Sequence, residues 1–136
     1  DILRRLGRKS AWAVHGTTQD GRPVDELSTM GPTSICRTSG GSDSREVINP
    51  VDYGMKEVNP EELIGGDASD NAQLLTEILA GNDKGPRRDI VLLNAGAGLA
   101  CAGLAKDLGE GIHLAREIVN SGAALEKLRL LQKAAG

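Results

Sequence analysis

Apolar residues along this chain follow two periods, short and strand-like in the first half and helical in the second. Ile2, Leu3 and Leu6 make one stripe of a short opening helix that Gly7 ends. Because that stripe follows Asp1 at once, the chain reads as a fragment that begins inside a helix. Residues 10–15 (Ser-Ala-Trp-Ala-Val-His) are short and apolar and are closed by Gly16, the pattern of a buried strand in an α/β sheet. Residues 17–23 are polar and hold Gly21 and Pro23, which predicts a loop. Residues 33–38 and 45–48 read as two strands, and the turn chemistry of residues 39–43 joins them as a hairpin. Asn49-Pro50 and Asn59-Pro60 punctuate the next stretch.

From Asp67 the period becomes helical. Leu74, Leu75, Ile78 and Leu79 share one face, and Gly81 is the stop. Residues 89–104 are apolar nearly all round, which predicts a helix buried in the core. Gly96, Gly98 and Gly103 within it each cost about 1 kcal/mol of helix propensity relative to Ala, a cost that close packing would offset. Leu108, Ile112, Ala115, Ile118 and Val119 mark another amphipathic helix closed by Ser121-Gly122, and Leu125, Leu128 and Leu131 mark the last. The fold class is therefore α/β, with strands and a hairpin first and helices afterwards, in one domain without internal repeats.

Composition sharpens this picture in one respect. Phe is absent, Trp12 and Tyr53 are the aromatics, and 18 residues are Gly, so the core must come from aliphatic side chains and close backbone approach. No apolar run reaches the roughly 18 residues of a membrane span, and no signal-peptide pattern appears. The net charge of −3 gives no broad attraction to nucleic acid or lipid headgroups. Arg4, Arg5, Arg8 and Lys9 cluster where they complement the end of the first helix. Cys36 and Cys101 have no metal-type spacing and read as buried thiols of a reducing, cytoplasmic compartment.

Candidate chemistry centres on Asp25-Glu26, which follow a glycine-containing loop that itself follows a strand. In open α/β sheets ligands gather beyond the carboxyl ends of strands. The pair is either an exposed acidic turn or part of a site for a hard dication, which needs one or two carboxylates beside phosphate and water. Gly65-Gly66-Asp67 could pass for a phosphate loop, but Asp67 or Asp70 suits a helix cap better, and no Walker-type Gly-Lys-Ser/Thr follows. Asn71 and Asn94 are polar groups on apolar helices, and Asn94 must find a partner, more often backbone than ligand. His15 reads as an anchored structural histidine, and neither Ser28 nor Cys36 shows a nucleophile-activating constellation.

Taken in order, these residues carry a family signal. His15-Gly16, Asp25-Glu26-Leu27-Ser28 and Gly31-Pro32-Thr33 resemble a stretch of anthranilate phosphoribosyltransferases. Pro50-Val51-Asp52-Tyr53-Gly54, Leu63-Ile64-Gly65-Gly66-Asp67 with Asn71-Ala72, and the run from Arg88 to Ala95 continue it, as do Glu110-Gly111 and Ser121-Gly122-Ala123. The resemblance implies transfer of the phosphoribosyl group from phosphoribosyl pyrophosphate to anthranilate in tryptophan biosynthesis. It also implies Mg²⁺ held by Asp25 and Glu26, and a homodimeric parent enzyme. Residues 1–136 would then be the C-terminal part of its α/β domain. The helical domain, the glycine-rich donor loop and the acceptor arginine would lie upstream, so the chain alone should not turn over. Residues 17–23 are longer than the family's usual link before the acidic pair. Alternatives are a pyrimidine nucleoside phosphorylase-like enzyme, or a non-catalytic relative that binds nucleic acid, which the acidic pI near 5.4 disfavours.

Overall fold

The computed structural model describes residues 2–135, so the reading that a helix already runs through Asp1 lies outside the described residues. Four strands, β1 (Ser10–Thr17), β2 (Pro23–Val24), β3 (Thr33–Ser39) and β4 (Ser42–Ile48), form one sheet in the order β2-β1-β3-β4. Every pairing is antiparallel. The helices are α1 (Ile2–Arg5), α2 (Ala68–Leu79), α3 (Pro86–Cys101), α4 (Leu108–Asn120) and α5 (Ala123–Ala135), with two 3₁₀ turns at Pro50–Tyr53 and Pro60–Leu63. Strands come first and helices after, as the two hydrophobic periods predict.

The antiparallel sheet corrects the expectation for β1. An antiparallel sheet can pack one face and leave the other open, and β1 alternates accordingly: Ala13 and His15 are exposed whereas Trp12 and Val14 are half-buried. On the covered face Ile35 and Thr33 are buried, and the Arg37 guanidinium lies 4.1 Å from the centroid of Trp12 while pairing with Glu46. The hairpin turn is tighter than residues 39–43. Gly40 and Gly41 alone turn the chain, at φ +57° and +86°, the left-handed pair that a two-residue hairpin requires. The polar segment before the acidic pair is likewise partly sheet, because Pro23 and Val24 pair with Thr17 and Gly16.

On the helical side, Asp67 caps α2 by accepting from the Ser69 and Asp70 amides, and Gly81 (φ +77°) follows its end. The apolar third helix starts and stops earlier than its hydrophobic run: Pro86 opens it, where a missing N–H costs nothing, and Gly103 (φ +74°) follows its end. Nor is it buried all round. Leu92, Leu93, Gly96 and Ala97 are buried, but Ala95 and Gly98 are exposed. Leu108, Ile112, Ala115 and Val119 of α4 meet that buried face and join Leu27, Ile35, Ile48 and Met55 in the core. α5 buries no residue fully, and Leu131 is 65% exposed; α1 likewise leaves Ile2 and Leu6 exposed. Cys36 and Cys101 are free and only half-buried, a correction to their expected burial.

The α3–α4 crossing shows what glycine is for in a chain this poor in aromatics. A Cβ on Gly96 would lie 2.6 Å from the Ile112 nitrogen, and one on Gly111 would strike the Gly96 carbonyl. Gly98 faces open space, and nothing in the structure requires glycine there. Gly96→Ala should therefore destabilise the chain by about 1–3 kcal/mol through overpacking. Gly98→Ala should stabilise it by up to about 1 kcal/mol through helix propensity. Urea unfolding of the two variants checks this, and equal shifts of the same sign would contradict the crossing.

Candidate functional site

Asp25 and Glu26 leave the end of β2 on a short bend whose backbone is held from both sides. From α3, Asn94 grips the next residue: its Oδ1 accepts from the Leu27 amide at 3.0 Å, and its Nδ2 donates to the Leu27 carbonyl at 2.9 Å and to the Ile90 carbonyl at 3.0 Å. One side-chain amide thus does the work of a neighbouring strand edge. From β1, Gly16 admits the Glu26 carbonyl and the Ser28 side chain, whose Cβ would lie 2.9 Å from any Cβ at that position. The expectation that Asn94 bonds to backbone rather than to a ligand is met.

Behind the acidic pair the chain dives inward. Leu27 is buried, and Ser28, Thr29 and Thr33 are fully so. The Ser28 amide donates to Thr33 Oγ1 at 2.9 Å, and Ser28 Oγ accepts from the Met30 amide at 3.0 Å, so this hydroxyl is structural. Gly31 lets the chain return beside β1, where a Cβ would lie 2.8 Å from the Thr17 carbonyl. The Val58 amide closes on the Thr29 carbonyl at 3.1 Å. The result is a bend with its inner residues locked and its two carboxylates turned outward, both exposed.

The electrostatics of that pair are unbalanced. Burial at the rim of a cleft pushes the Glu26 carboxyl above its ordinary range, and the neighbouring Asp25 charge adds to the shift. Among the described residues no Lys, Arg or His forms an ion pair with either acid. Nor do three or more His, Cys, Asp or Glu side chains gather there into a metal-holding group. Two oxygen-donor side chains, on a hydrogen-bonded bend and in no ion pair among the described residues, fit a hard dication that draws its other ligands from phosphate and water.

The remaining candidates separate cleanly. His15 is exposed and not anchored, because it lies on the open face of the sheet. Cys36 stands on that same face between Ala13 and Arg45. Gly65-Gly66-Asp67 is a capping segment: Asp70 returns to the Asp67 amide, and Asn71 holds both backbone groups of Gly66 at 3.0 Å. Sequence reasoning missed Arg87, which lines with Glu26 a cleft of about 330 Å³ between α2 and α3. A signal for it exists. Arg87 and Arg88 occupy the first turn of α3, where a cation opposes the helix dipole and so calls for a reason.

The family model described as "Glycosyl transferase family, a/b domain" matches residues 1–125 of the chain. The chain belongs to that family. Within the glycosyl transferase family its relatives include the anthranilate phosphoribosyltransferase of Anaeromyxobacter sp. (strain K), 44% identical over 130 residues, or 96% of this chain and 37% of the relative. The crystal structure of anthranilate phosphoribosyltransferase from Thermus thermophilus is 38% identical with a TM-score of 0.80, over 93% of this chain and 36% of that one. The Saccharomyces cerevisiae anthranilate phosphoribosyltransferase in complex with PRPP and Mg is 26% identical with a TM-score of 0.72, over 87% and 33%. The chain spans about 37% of the length of the curated relatives it matches.

The geometry of this bend can be tested without substrate. Asn94→Ala should cost about 2 kcal/mol or more, since it strands the amide and carbonyl of Leu27, and should raise amide hydrogen exchange at Leu27. Asn94→Asp keeps the acceptor but loses the donor, so it should share the defect. Side-chain carboxyl NMR should place the Glu26 pKa above the ordinary glutamate value, and Asp25→Asn should lower it only part of the way, because burial remains. Ionising Glu26 disfavours the folded state, so its contribution to stability falls as pH rises through the window from the ordinary value to the raised one. Glu26→Gln should flatten that decline.

Proposed function

We propose that the protein carrying this chain transfers the phosphoribosyl group from phosphoribosyl pyrophosphate to anthranilate, with Asp25 and Glu26 holding Mg²⁺ beside the donor's diphosphate. The observation that carries the reading is the acidic pair itself, on a bend fixed by Asn94 and in no ion pair among the described residues. The relatives supply the reaction: anthranilate phosphoribosyltransferases match nearly the whole chain, and one of them was solved with PRPP and Mg. The finer points of the reading are tryptophan biosynthesis, a cytoplasmic location and a homodimeric parent enzyme. Among the described residues no helix is long and apolar enough to cross a membrane.

The chain's own residues have defined tasks in this reaction. Asp25 and Glu26 offer oxygen donors, and a bound Mg²⁺ would screen charge on the departing diphosphate as the ribosyl carbon becomes cation-like. Asn94, Gly16 and the buried Ser28–Thr33 pairing hold the backbone that carries the two carboxylates. A cation bound beside Glu26 would favour its ionised form, against the burial and the Asp25 charge that raise its pKa. No base or nucleophile is assigned within this chain; donor loop and acceptor contacts belong to the remainder of the parent enzyme.

In the full-length parent, Asp25→Asn with Glu26→Gln should lower kcat/KM for phosphoribosyl pyrophosphate by about 10²-fold or more and raise the magnesium concentration needed for half-maximal rate. The isolated chain should show no turnover. Unchanged rates in the doubly substituted parent would refute the metal assignment, and activity independent of magnesium would favour the pyrimidine nucleoside phosphorylase-like alternative.

A further inference from the structure

The cleft that Glu26 shares with Arg87 has a composition the acidic pair does not explain. Leu74, Leu75, Ile78 and Val91 give it aliphatic walls, and Arg87 is its cationic group. The Arg87 guanidinium donates through Nη2 to the Ile64 carbonyl at 3.0 Å, forms no ion pair among the described residues, and keeps a buried, unpartnered Nε. It also stands in the first turn of α3, whose N-terminus has no side-chain cap. A cation there is disfavoured by its own helix, is partly desolvated, and pairs with no anion among the described residues.

We propose that this cleft binds a small monocarboxylate with a hydrocarbon body, its apolar part on the aliphatic walls and its carboxylate on Arg87. About 330 Å³ is within the range that holds a small ligand. The fixed fork of a guanidinium matches a carboxylate, and the bond is charge-assisted on both sides. Glu26 repels that same carboxylate, so the two charges of the cleft give the ligand a direction. A polyphosphate does not suit the place, because aliphatic walls would desolvate it without returning hydrogen bonds.

Benzoate is the probe, titrated into the 136-residue chain without magnesium or donor, so the result stands apart from the metal assignment. Amide shifts should saturate and centre on Gly65, Leu74 and Val91. Benzamide, equal in shape but uncharged, should bind at least about tenfold more weakly. Arg87→Met should weaken benzoate by a similar factor while leaving benzamide unchanged. Leu75→Trp, which fills the cleft from a residue 41% exposed, should remove binding of both with the fold intact by circular dichroism. Equal affinity for benzoate and benzamide overturns the proposal, as does full benzoate affinity in Arg87→Met or the lack of any saturable binding.

Discussion

The hydrogen bonds from Asn94 to the Leu27 backbone are the joint on which this structure turns. They tie the helical layer to the segment leaving β2, across 67 positions of sequence. Leu27 N–H and C=O lie beyond the last strand pairing of β2, so the sheet cannot satisfy them. A buried amide left unpaired costs about 1–3 kcal/mol, and a primary carboxamide is the side chain that can both donate and accept in one plane. With that joint made, Leu27 fills the core, and the residues just before it are forced outward. The position of two exposed acids is thus dictated by the burial of their neighbour.

Glycine supplies the second constraint. With no Phe and few aromatics, the layers cannot be spaced by large rings, and they approach until backbone meets backbone. Gly96 and Gly111 let α3 and α4 cross almost in contact, and Gly16 and Gly31 let the acidic segment run against β1. Close approach strengthens dispersion contacts per atom and leaves little slack. A site on such a frame is held by geometry that a single methyl group would disturb.

Much of this was legible in the sequence, and the failures share a cause. Periodicity places α2, α4 and the hairpin because those signals are local: Asp67 as a cap, Gly81 as a stop, and the Leu108-Ile112-Ala115-Val119 face. The Asp25-Glu26 pair was legible as a candidate, and the need of Asn94 for a partner was legible too. What the chain did not disclose depends on which surfaces meet. The short apolar run of β1 looks the same whether one face or both are covered, so the open side of the antiparallel sheet, with His15 on it, was unreadable. The all-round apolar character of α3 suggested full burial, yet one flank remains exposed. Arg87 was overlooked because its meaning depends on a cleft formed with residues 26, 63–78 and 90–91.

The charge arrangement at Glu26 is what the proposed metal role rests on. A fold that needed acids at this bend for solubility would gain by spacing them apart or pairing them with a lysine. Here they are adjacent, one is partly desolvated, and no cationic side chain pairs with either among the described residues. The folded state therefore holds an electrostatic cost that a divalent cation can relieve. Any ligand that binds the folded form alone stabilises it in proportion to the logarithm of its concentration over Kd. Asn94 and Gly16 fix the backbone on which the two acids stand side by side, so under the proposed reading the bend presents both carboxylates to one cation.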